Sequence, residues 1–165
     1  MPLHFWKMSV FLVTAASRGV GLELCRMLVA RGDRIIACCR RPSAELLALG
    51  IRIEAGVDLG SSDSMADLAL ALGGLRLDGI CFTTEIPAGI EQQFQLLCLG
   101  PVRLVRALRP NLARGASLFL VGDPRGSAAA RTLLELAADL LREEHVDLEV
   151  VAQPNLAADT QTPIT

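Results

Sequence analysis

A segment of small residues near the start of the chain has the composition of a loop that binds phosphate groups. It runs from Thr14 to Gly21 and reads Thr-Ala-Ala-Ser-Arg-Gly-Val-Gly. Small residues let the backbone turn tightly and bring N–H groups close to a pyrophosphate, which the positive end of a following helix would also attract. Gly21 would permit close packing of that helix on the preceding strand. The segment predicts a dinucleotide-binding loop; the alternative is a tight turn without a ligand.

Two arginines further along could read the ribose of such a dinucleotide. At the end of the second strand of dinucleotide-binding folds, an acidic residue recognises the 2′-hydroxyl of NAD, whereas a basic residue pairs with the 2′-phosphate of NADP. This chain has Cys39-Arg40-Arg41 there, without a carboxylate, and Arg18 could reach the same phosphate. Guanidinium groups form charge-assisted, bidentate bonds with phosphate. The pattern therefore favours NADP(H) over NAD; the alternative is an ordinary solvated charge pair.

The pattern of apolar residues places this loop between the first strand and the first helix of an alternating chain. Apolar runs predict buried strands, and apolar residues at helical spacing predict helices. Short connections indicate a parallel sheet with right-handed crossovers. We expect a Rossmann-type, doubly wound α/β fold with about six strands in the order 3-2-1-4-5-6 and helices on both faces. The predicted strands cover residues 9–16, 34–39, 51–59, 77–84, 117–121 and 148–152, and the predicted helices 19–31, 42–49, 62–72, 90–113 and 127–144.

The longest predicted helix should be irregular. It contains Gly100-Pro101 near its middle. Proline removes a backbone donor and glycine lacks a side chain, so we expect a bend that lets another backbone come close.

The composition fits one such domain and argues against several other classes of protein. Hydrophobic residues make up 52% of the 165 residues, as expected where strands are covered on both faces. The formal net charge of −2 would not attract a polyanion, so we expect no nucleic-acid partner. Since no stretch approaches the roughly 20 apolar residues of a membrane span, we also expect no membrane partner. We predict one domain over residues 1–165, with a loose tail at 155–165.

The cysteines favour a cytoplasmic protein with reduced thiols. They form no CxxC pair, and only His4 and His145, each alone in the sequence, could join them as metal ligands. We therefore expect no metal site and buried thiols that behave as small hydrophobic residues. The cysteines are Cys25, Cys38, Cys39, Cys81 and Cys98.

Three segments resemble the short-chain dehydrogenase/reductase family. They are VTAASRGVGLEL, ARGDRIIACCRRP and GPVRLVRALRP, which begin at Val13, Ala30 and Gly100. The first is similar to the T-G-x-x-x-G-x-G cofactor loop of that family, with Ala15 at the first glycine position. A methyl group is compatible with this loop if φ of Ala15 stays negative. Residues 13–58 resemble the C-factor-like and sniffer-like carbonyl reductase branch, and the likeness extends from about residue 9 to about residue 160.

The resemblance implies a set of dinucleotide-binding residues. Asp58, at the end of the third strand, matches the position whose side chain hydrogen-bonds the adenine amino group; the alternative is a turn residue. The implied cofactor-binding residues are Thr14, Ala15, Ser17, Arg18, Gly19, Val20, Gly21, Arg40, Arg41, Asp58 and Leu59.

The resemblance also shows that the expected catalytic groups are missing. Reductases of this family use an Asn on the long helix, a Ser after the fifth strand, and a Tyr and a Lys four residues apart on the next helix. The sequence contains no tyrosine, and the four matching positions are Leu97, Asp123, Ser127 and Arg131. A serine hydroxyl without an adjacent base is a far weaker acid than a phenol beside a fixed cation. We therefore expect the redox machinery to be lost.

Three functions remain open. The first is a non-catalytic protein, NADP(H)-binding or nucleotide-free, that acts as a regulator or partner. The second is a non-redox enzyme such as a lyase, isomerase or cyclase. Its charged residues would be Glu85, Asp123, Arg125 and Arg131, at or beyond the carboxyl ends of strands, although each could be a loop charge or helix cap. The candidate catalytic residues are Glu85, Asp123, Ser127 and Arg131. The third is an NADPH-dependent oxidoreductase whose atypical proton donor is water relayed by Ser127 or Asp123.

The resemblance implies association with a second chain. Family members pair through the long helix and the helix after the fifth strand, so we expect a homodimer through residues 90–113 and 127–144, or a protein partner. These residues could instead face the sheet. The apolar residues concerned are Phe94, Cys98, Val102, Val105, Leu133, Leu136 and Leu140.

The family also continues past a Pro-Gly dipeptide into a substrate-covering loop and a seventh strand. Here the dipeptide is Pro154-Asn155, and ten residues follow it. Thr160 could mimic the family threonine over the nicotinamide amide, but we expect the covering loop to be missing, which would weaken water exclusion.

Overall fold

The computed structural model describes residues 8–153, and this range contains a parallel sheet of six strands. The strands are β1 (Val10–Val13), β2 (Arg34–Cys38), β3 (Arg52–Glu54), β4 (Leu77–Phe82), β5 (Leu112–Val121) and β6 (Glu149–Gln153). Their spatial order is β3-β2-β1-β4-β5-β6, and every neighbouring pair is parallel. The predicted doubly wound, Rossmann-type fold is confirmed. His4, the expected tail and Thr160 lie outside the described residues.

Helices connect successive strands and cover both faces of the sheet. They are α1 (Gly19–Arg31), α2 (Ala44–Leu47), α3 (Ser62–Leu72), α4 (Ile90–Gln93), α5 (Leu99–Leu108) and α6 (Ala128–Glu144). A π-helical segment, Phe94–Cys98, joins α4 to α5, and a 3-10 turn follows α5 at Arg109–Asn111. No helix within residues 8–153 is long and apolar enough to cross a bilayer.

Alternating residues of the central strands divide the core into two clusters. On β1, Leu12 belongs to the cluster beneath α3, α5 and α6, whereas Phe11 and Val13 belong to the cluster beneath α1. This alternation explains why the strands read as continuous apolar runs, since both faces are buried. Burial of both sheet faces also explains why the content of hydrophobic residues, 52%, is above average.

The helix predicted over residues 90–113 is irregular, as expected, but the prediction was wrong about its end and about its close neighbour. Pro101 has no N–H to donate to the Leu97 carbonyl, and the π-helical segment just before it absorbs this irregularity. The close neighbour at Gly100 is a ring rather than a backbone, because a Cβ there would lie 3.2 Å from Cζ of Phe82. The helix ends at Leu108.

The fifth strand begins earlier than predicted because it contains a bulge. β5 begins at Leu112, five residues before the predicted start at Ser117. Its register with β4 shifts between Leu112 and Ser117, and Gly115 adopts a φ of +73° in that bulge. Regular pairing does begin at Ser117, opposite Gly79. The apolar pattern therefore located the paired part of the strand and missed the bulged part.

The apolar residues assigned to a dimer interface separate into two groups. Cys98, Val102 and Val105 are 1%, 6% and 0% exposed, so they face the core. Phe94, Leu136 and Leu140 are 40%, 43% and 37% exposed. The expectation of a contiguous outward surface is wrong for the first group, because the π-helical segment and α5 turn those residues toward the core.

Candidate functional site

Two adjoining cavities lie at the carboxyl edge of the sheet. The first, of about 890 Å³, is lined mainly by the segments that follow β1, β2 and β3. The second, of about 700 Å³, lies between the start of α1 and the segments that follow β4 and β5. Ala15, Arg18, Thr84 and Glu85 line both cavities. Together they form one cleft at the point where the strand order reverses, which is where open α/β sheets bind ligands.

The loop after β1 wraps tightly against the start of α1. A Cβ on Gly21 would lie 2.3 Å from the Ala15 carbonyl oxygen and 2.8 Å from that of Thr14. Such distances are impossible without a backbone shift, so the close approach requires glycine. The predicted role of Gly21 in helix–strand packing is confirmed, and with Gly19 and Val20 it lines the second cavity.

Ala15 has a conformation that the sequence did not predict. Its φ is +47°, the left-handed region, where a Cβ is strained. From the sequence alone, the Ala15 methyl group is expected to be tolerated if φ is negative, and the positive φ contradicts that condition. The chain thus keeps the backbone geometry that favours glycine while carrying alanine.

Thr14 serves the fold rather than the cleft. It is fully buried, its hydroxyl donates to the Thr83 carbonyl at 2.6 Å and accepts from the Thr83 N–H at 2.9 Å. It lines neither cavity. The prediction that Thr14 contacts a cofactor is therefore corrected: its side chain ties the end of β1 to the end of β4 and so fixes the loop that does line the cleft.

The first cavity contains two cationic side chains without partners among residues 8–153. Arg40 and Arg41 are exposed and line this cavity. Their backbone is fixed, because the Ser17 hydroxyl donates to the Arg41 carbonyl. Ser43 caps α2 by accepting from the Leu46 N–H at 3.2 Å, and its hydroxyl donates to the Ser17 carbonyl. The structure thus brings Ser17, Arg40 and Arg41 together.

The opposite wall of the first cavity follows β3. Leu59 and Val57 are each 8% exposed and supply apolar surface. Asp58 between them is exposed, and its Oδ1 accepts from the Gly60 N–H at 2.9 Å. Asp58 therefore stabilises its own turn, which was the alternative interpretation of this residue. It also lines the cavity.

An ion pair marks the boundary between the two cavities. The Arg18 Nε donates to the Glu85 Oε1. Both side chains are exposed, at 74% and 53%. Arg18 is consequently engaged by a carboxylate from the loop after β4, a contact that the sequence did not predict.

The polar groups of the second cavity are engaged in local structure. Ser127 caps α6 by accepting from the Ala130 N–H at 3.1 Å. Asp123 accepts from the Arg125 N–H at 2.8 Å and pairs with its guanidinium at 3.0 Å. The Arg125 hydrogen bond, opposed by partial burial, holds the pKa of Asp123 below its ordinary value, so the carboxyl is ionised at neutral pH.

The four candidate catalytic residues do not all converge. Glu85, Asp123 and Ser127 line the second cavity together with Arg125. Arg131 does not line it; its guanidinium donates at 3.0 Å to the carbonyl of Gly126, which does line the cavity. Leu97, which replaces the helix asparagine, is 3% exposed and packs in the core.

Sequence reasoning missed several residues that line the cleft, and three of these make hydrogen bonds that shape it. The three are Ser43, Thr83 and Gln93. A serine before a short helical pattern is a recognisable cap signal, so Ser43 could have been found. Thr83 and Gln93 act through the Thr14 hydroxyl and the Pro87 carbonyl, and these contacts depend on tertiary packing.

The five cysteines are reduced and buried, as predicted. Burial raises the pKa of Cys25 and of Cys81 to about 12 and raises that of Cys38 further. The thiolate, which is the nucleophile and metal ligand, is thus disfavoured. Within residues 8–153, no group of three or more His, Cys, Asp or Glu side chains is arranged to hold a metal ion.

Comparison with known proteins places the cleft in context. None of the protein-family models matches the sequence. The chain is 35% identical over 137 residues to 1-hydroxy-2-glutathionyl-2-methyl-3-butene dehydrogenase from Rhodococcus sp. (strain AD45), an alignment that covers 76% of this chain. The chain spans 61% of the length of that relative.

Solved structures share the same architecture. A carbonyl reductase from Pseudomonas aeruginosa PAO1 superimposes with a TM-score of 0.76 at 23% identity, over 91% of this chain and 84% of the reductase. The same reductase in complex with NADP superimposes with a TM-score of 0.74 at 24% identity, over 88% and 81% of the two chains. At this identity the likeness establishes the fold.

Proposed function

Because this chain belongs to the short-chain dehydrogenase/reductase family, we propose that it binds NADP(H) in the cleft without transferring hydride, and acts as a regulator or as a partner of another protein. The observation that carries this proposal is the absence of tyrosine from a sequence of 165 residues that keeps the cofactor loop and two cleft arginines.

The described residues fit a dinucleotide. The backbone of the loop from Ala15 to Gly21 and the start of α1 would hold the diphosphate, because N–H groups at a helix N-terminus favour anions. Arg40 and Arg41 would hold a ribose 2′-phosphate, and Asp58 and Leu59 would contact the adenine. The backbone position that only glycine can fill, at Gly21, supports this assignment independently of the family.

A proton donor is what the second cavity lacks. Bound NADPH would supply a hydride, but carbonyl reduction also needs an acid beside the substrate oxygen. Asp123 is held ionised by Arg125, and Arg131, which does not line the cavity, donates to a backbone carbonyl. The Ser127 hydroxyl caps α6, and no hydrogen bond joins it to a carboxylate or histidine among the described residues. These engagements support binding without turnover.

Calorimetric titration of NADPH and NADH tests the proposal. We expect NADPH to bind at least about tenfold more tightly than NADH, since the 2′-phosphate would gain charge-assisted bonds to Arg40 and Arg41. We expect no consumption of NADPH with a panel of aldehydes and ketones. Equal affinities would contradict the NADP preference, and consumption at an ordinary enzymatic rate would contradict the non-catalytic assignment.

A non-redox enzyme is the second candidate. Glu85, Asp123 and Arg125 line one cavity beyond the carboxyl ends of β4 and β5, and charged groups so placed could bind a polar substrate. The atypical reductase, suggested by the dehydrogenase activity in the name of the 35% identical relative, is the third. Product analysis after incubation with and without NADPH distinguishes them, because only the reductase would depend on the dinucleotide.

We also propose a homodimer in the cytoplasm. Phe94, Leu136 and Leu140 are large apolar side chains exposed on neighbouring helices, and such patches are typical of protein contacts. The reduced, buried cysteines support a reducing compartment. Light scattering after size exclusion should give the mass of a dimer, and Leu140→Glu should give a monomer; a monomeric native chain would contradict the proposal.

A further inference from the structure

The charged side chains that line the second cavity are joined in two ion pairs. Within residues 8–153 these side chains are Arg18, Glu85, Asp123 and Arg125. Glu85 accepts from Arg18, and Asp123 pairs with Arg125 at 3.0 Å. Two carboxylates therefore meet two guanidinium groups, and the lining presents no unpaired charge to a ligand.

The first cavity differs because its own two arginines are unpaired. Arg40 and Arg41 line this cavity only, and neither makes an ion pair among the residues that the structure describes. The buried side chains of Val57 and Leu59 supply an apolar wall beside them. The groups that are available to recognise a dinucleotide thus lie at the adenosine end of the cleft.

The two forms of the dinucleotide differ at the other end. NADP⁺ and NADPH share the adenosine, the 2′-phosphate and the diphosphate, but the oxidised nicotinamide ring carries a positive charge that the reduced ring lacks. A dinucleotide whose 2′-phosphate lies at Arg40 and Arg41 extends its nicotinamide end toward the second cavity. A site distinguishes the two rings electrostatically only if an unpaired charge lies near them.

We propose that the cleft binds NADP⁺ and NADPH with equal affinity because the charges of the second cavity are paired, so that occupancy of this chain reports the total concentration of the two forms and not their ratio. This inference rests on the proposed function, namely that the cleft binds NADP(H) without transferring hydride. It identifies the signal that a non-catalytic regulator would respond to, which is the supply of 2′-phosphorylated dinucleotide.

Both ion pairs can remain in place when a dinucleotide binds. The bond from Arg18 to Glu85 uses Nε, which leaves the two terminal nitrogens of Arg18 to donate to a phosphate group. The Arg125 guanidinium contacts Asp123 through two nitrogens, at 3.2 and 3.0 Å. The Arg125 N–H also donates to Asp123 at 2.8 Å and holds the carboxylate in its turn. The start of α1, which also lines this cavity, favours the diphosphate that both forms share.

Calorimetric titration of NADP⁺ and NADPH tests the inference in the native protein and in variants of the Asp123–Arg125 pair. The native dissociation constants should agree within about twofold. Arg125→Gln leaves Asp123 unpaired and should favour NADP⁺ by roughly threefold, whereas Asp123→Asn leaves Arg125 unpaired and should favour NADPH by roughly threefold. The double variant removes both charges and should restore equal affinities.

Arg40→Gln is the matched control, because it removes the same charge as Arg125→Gln but from the first cavity. It should lower the affinities for NADP⁺ and NADPH together and leave their ratio unchanged, since both forms carry the 2′-phosphate. A shift of the ratio equal to that of Arg125→Gln would overturn the inference, because the effect would then be one of overall charge. Circular dichroism verifies that each variant is folded.

The outcomes separate this inference from the proposed function. Native affinities that differ by more than about twofold overturn the inference and leave binding without turnover standing. Equal affinities in the native chain and in both single variants also overturn it, because paired charges would then not be the cause of the equality. Equal native affinities with opposite shifts in the two single variants support it. Failure of the native chain to bind either form overturns both the inference and the proposed function.

Discussion

The two cavities of the cleft lie side by side on the same sheet edge, yet they differ in how their polar groups are used. In the first, Arg40 and Arg41 have no partners among residues 8–153, and a serine network fixes their backbone. In the second, Ser127 and Asp123 are engaged in a helix cap and a turn. Arginines that are available to a ligand therefore lie beside polar groups that stabilise a turn and a helix cap. Ligand binding and catalysis can thus be lost separately within one fold.

Gly21→Ala should cause the largest effect, because it disturbs the loop that both cavities share. The added Cβ would overlap the Ala15 carbonyl oxygen at 2.3 Å, so we expect a loss of about 3 kcal/mol in the free energy of unfolding and of NADPH binding. Denaturant unfolding and calorimetry measure both. Gly74→Ala is the control, since a Cβ at Gly74 has no neighbour within 4 Å. A stable, binding-competent Gly21→Ala would refute the tight wrap.

Replacing Arg40 and Arg41 should damage the first cavity alone. Arg40→Ala with Arg41→Ala should lower NADPH affinity about 100-fold and leave NADH affinity nearly unchanged, because only NADPH carries the 2′-phosphate. Arg114→Ala, an exposed arginine outside both cavities, should have no effect. Equal losses for NADPH and NADH would mean that the arginines do not read the ribose phosphate.

Ser127→Ala tests whether the second cavity serves structure. Loss of the cap should cost about 1 kcal/mol of stability and change NADPH affinity by less than about twofold. Ser127→Asn should restore the stability, because asparagine is also a good cap. Thermal unfolding reports the effect. A variant that keeps full stability would show that Ser127 is not needed as a cap.

Ala15→Gly should stabilise the shared loop. Relief of the positive φ of +47° should raise the free energy of unfolding by at most about 1 kcal/mol and the melting temperature by about 2–4 °C. Ala16→Gly, a neighbouring residue without a positive φ, should instead lower stability. A destabilised Ala15→Gly would contradict the strained conformation.

Acid should weaken the turn of the second cavity, and this is the smallest effect we predict. The pKa of Asp123 is lower in the folded chain than its ordinary value of 3.8. Its contribution is therefore present above that value and is lost as pH falls through the folded pKa. Asp123→Asn should flatten the dependence of melting temperature on pH below about 3.8 relative to the native chain; identical curves would show that the Arg125 pair contributes nothing.

The fold was predictable because the central strands are buried on both faces and the longer helices carry apolar residues at helical spacing. The glycine requirement at Gly21 and the arginines after β2 also follow from local sequence. Three features could not be predicted from local sequence: the φ of Ala15, the burial of Thr14 and the Arg18–Glu85 pair. The first depends on backbone strain, and the other two depend on residues about 70 positions away in the chain. The early end of the long helix was missed because the apolar pattern continues into the bulged part of β5.

The most direct test of binding without turnover is a single-turnover experiment with protein in excess over NADPH. Calorimetry first establishes that the NADPH is bound. Each aldehyde or ketone is then added and the absorbance of the reduced nicotinamide is followed. Our account predicts bound NADPH whose absorbance stays constant; oxidation of the bound fraction, abolished by Asp123→Asn or Ser127→Ala, would contradict it.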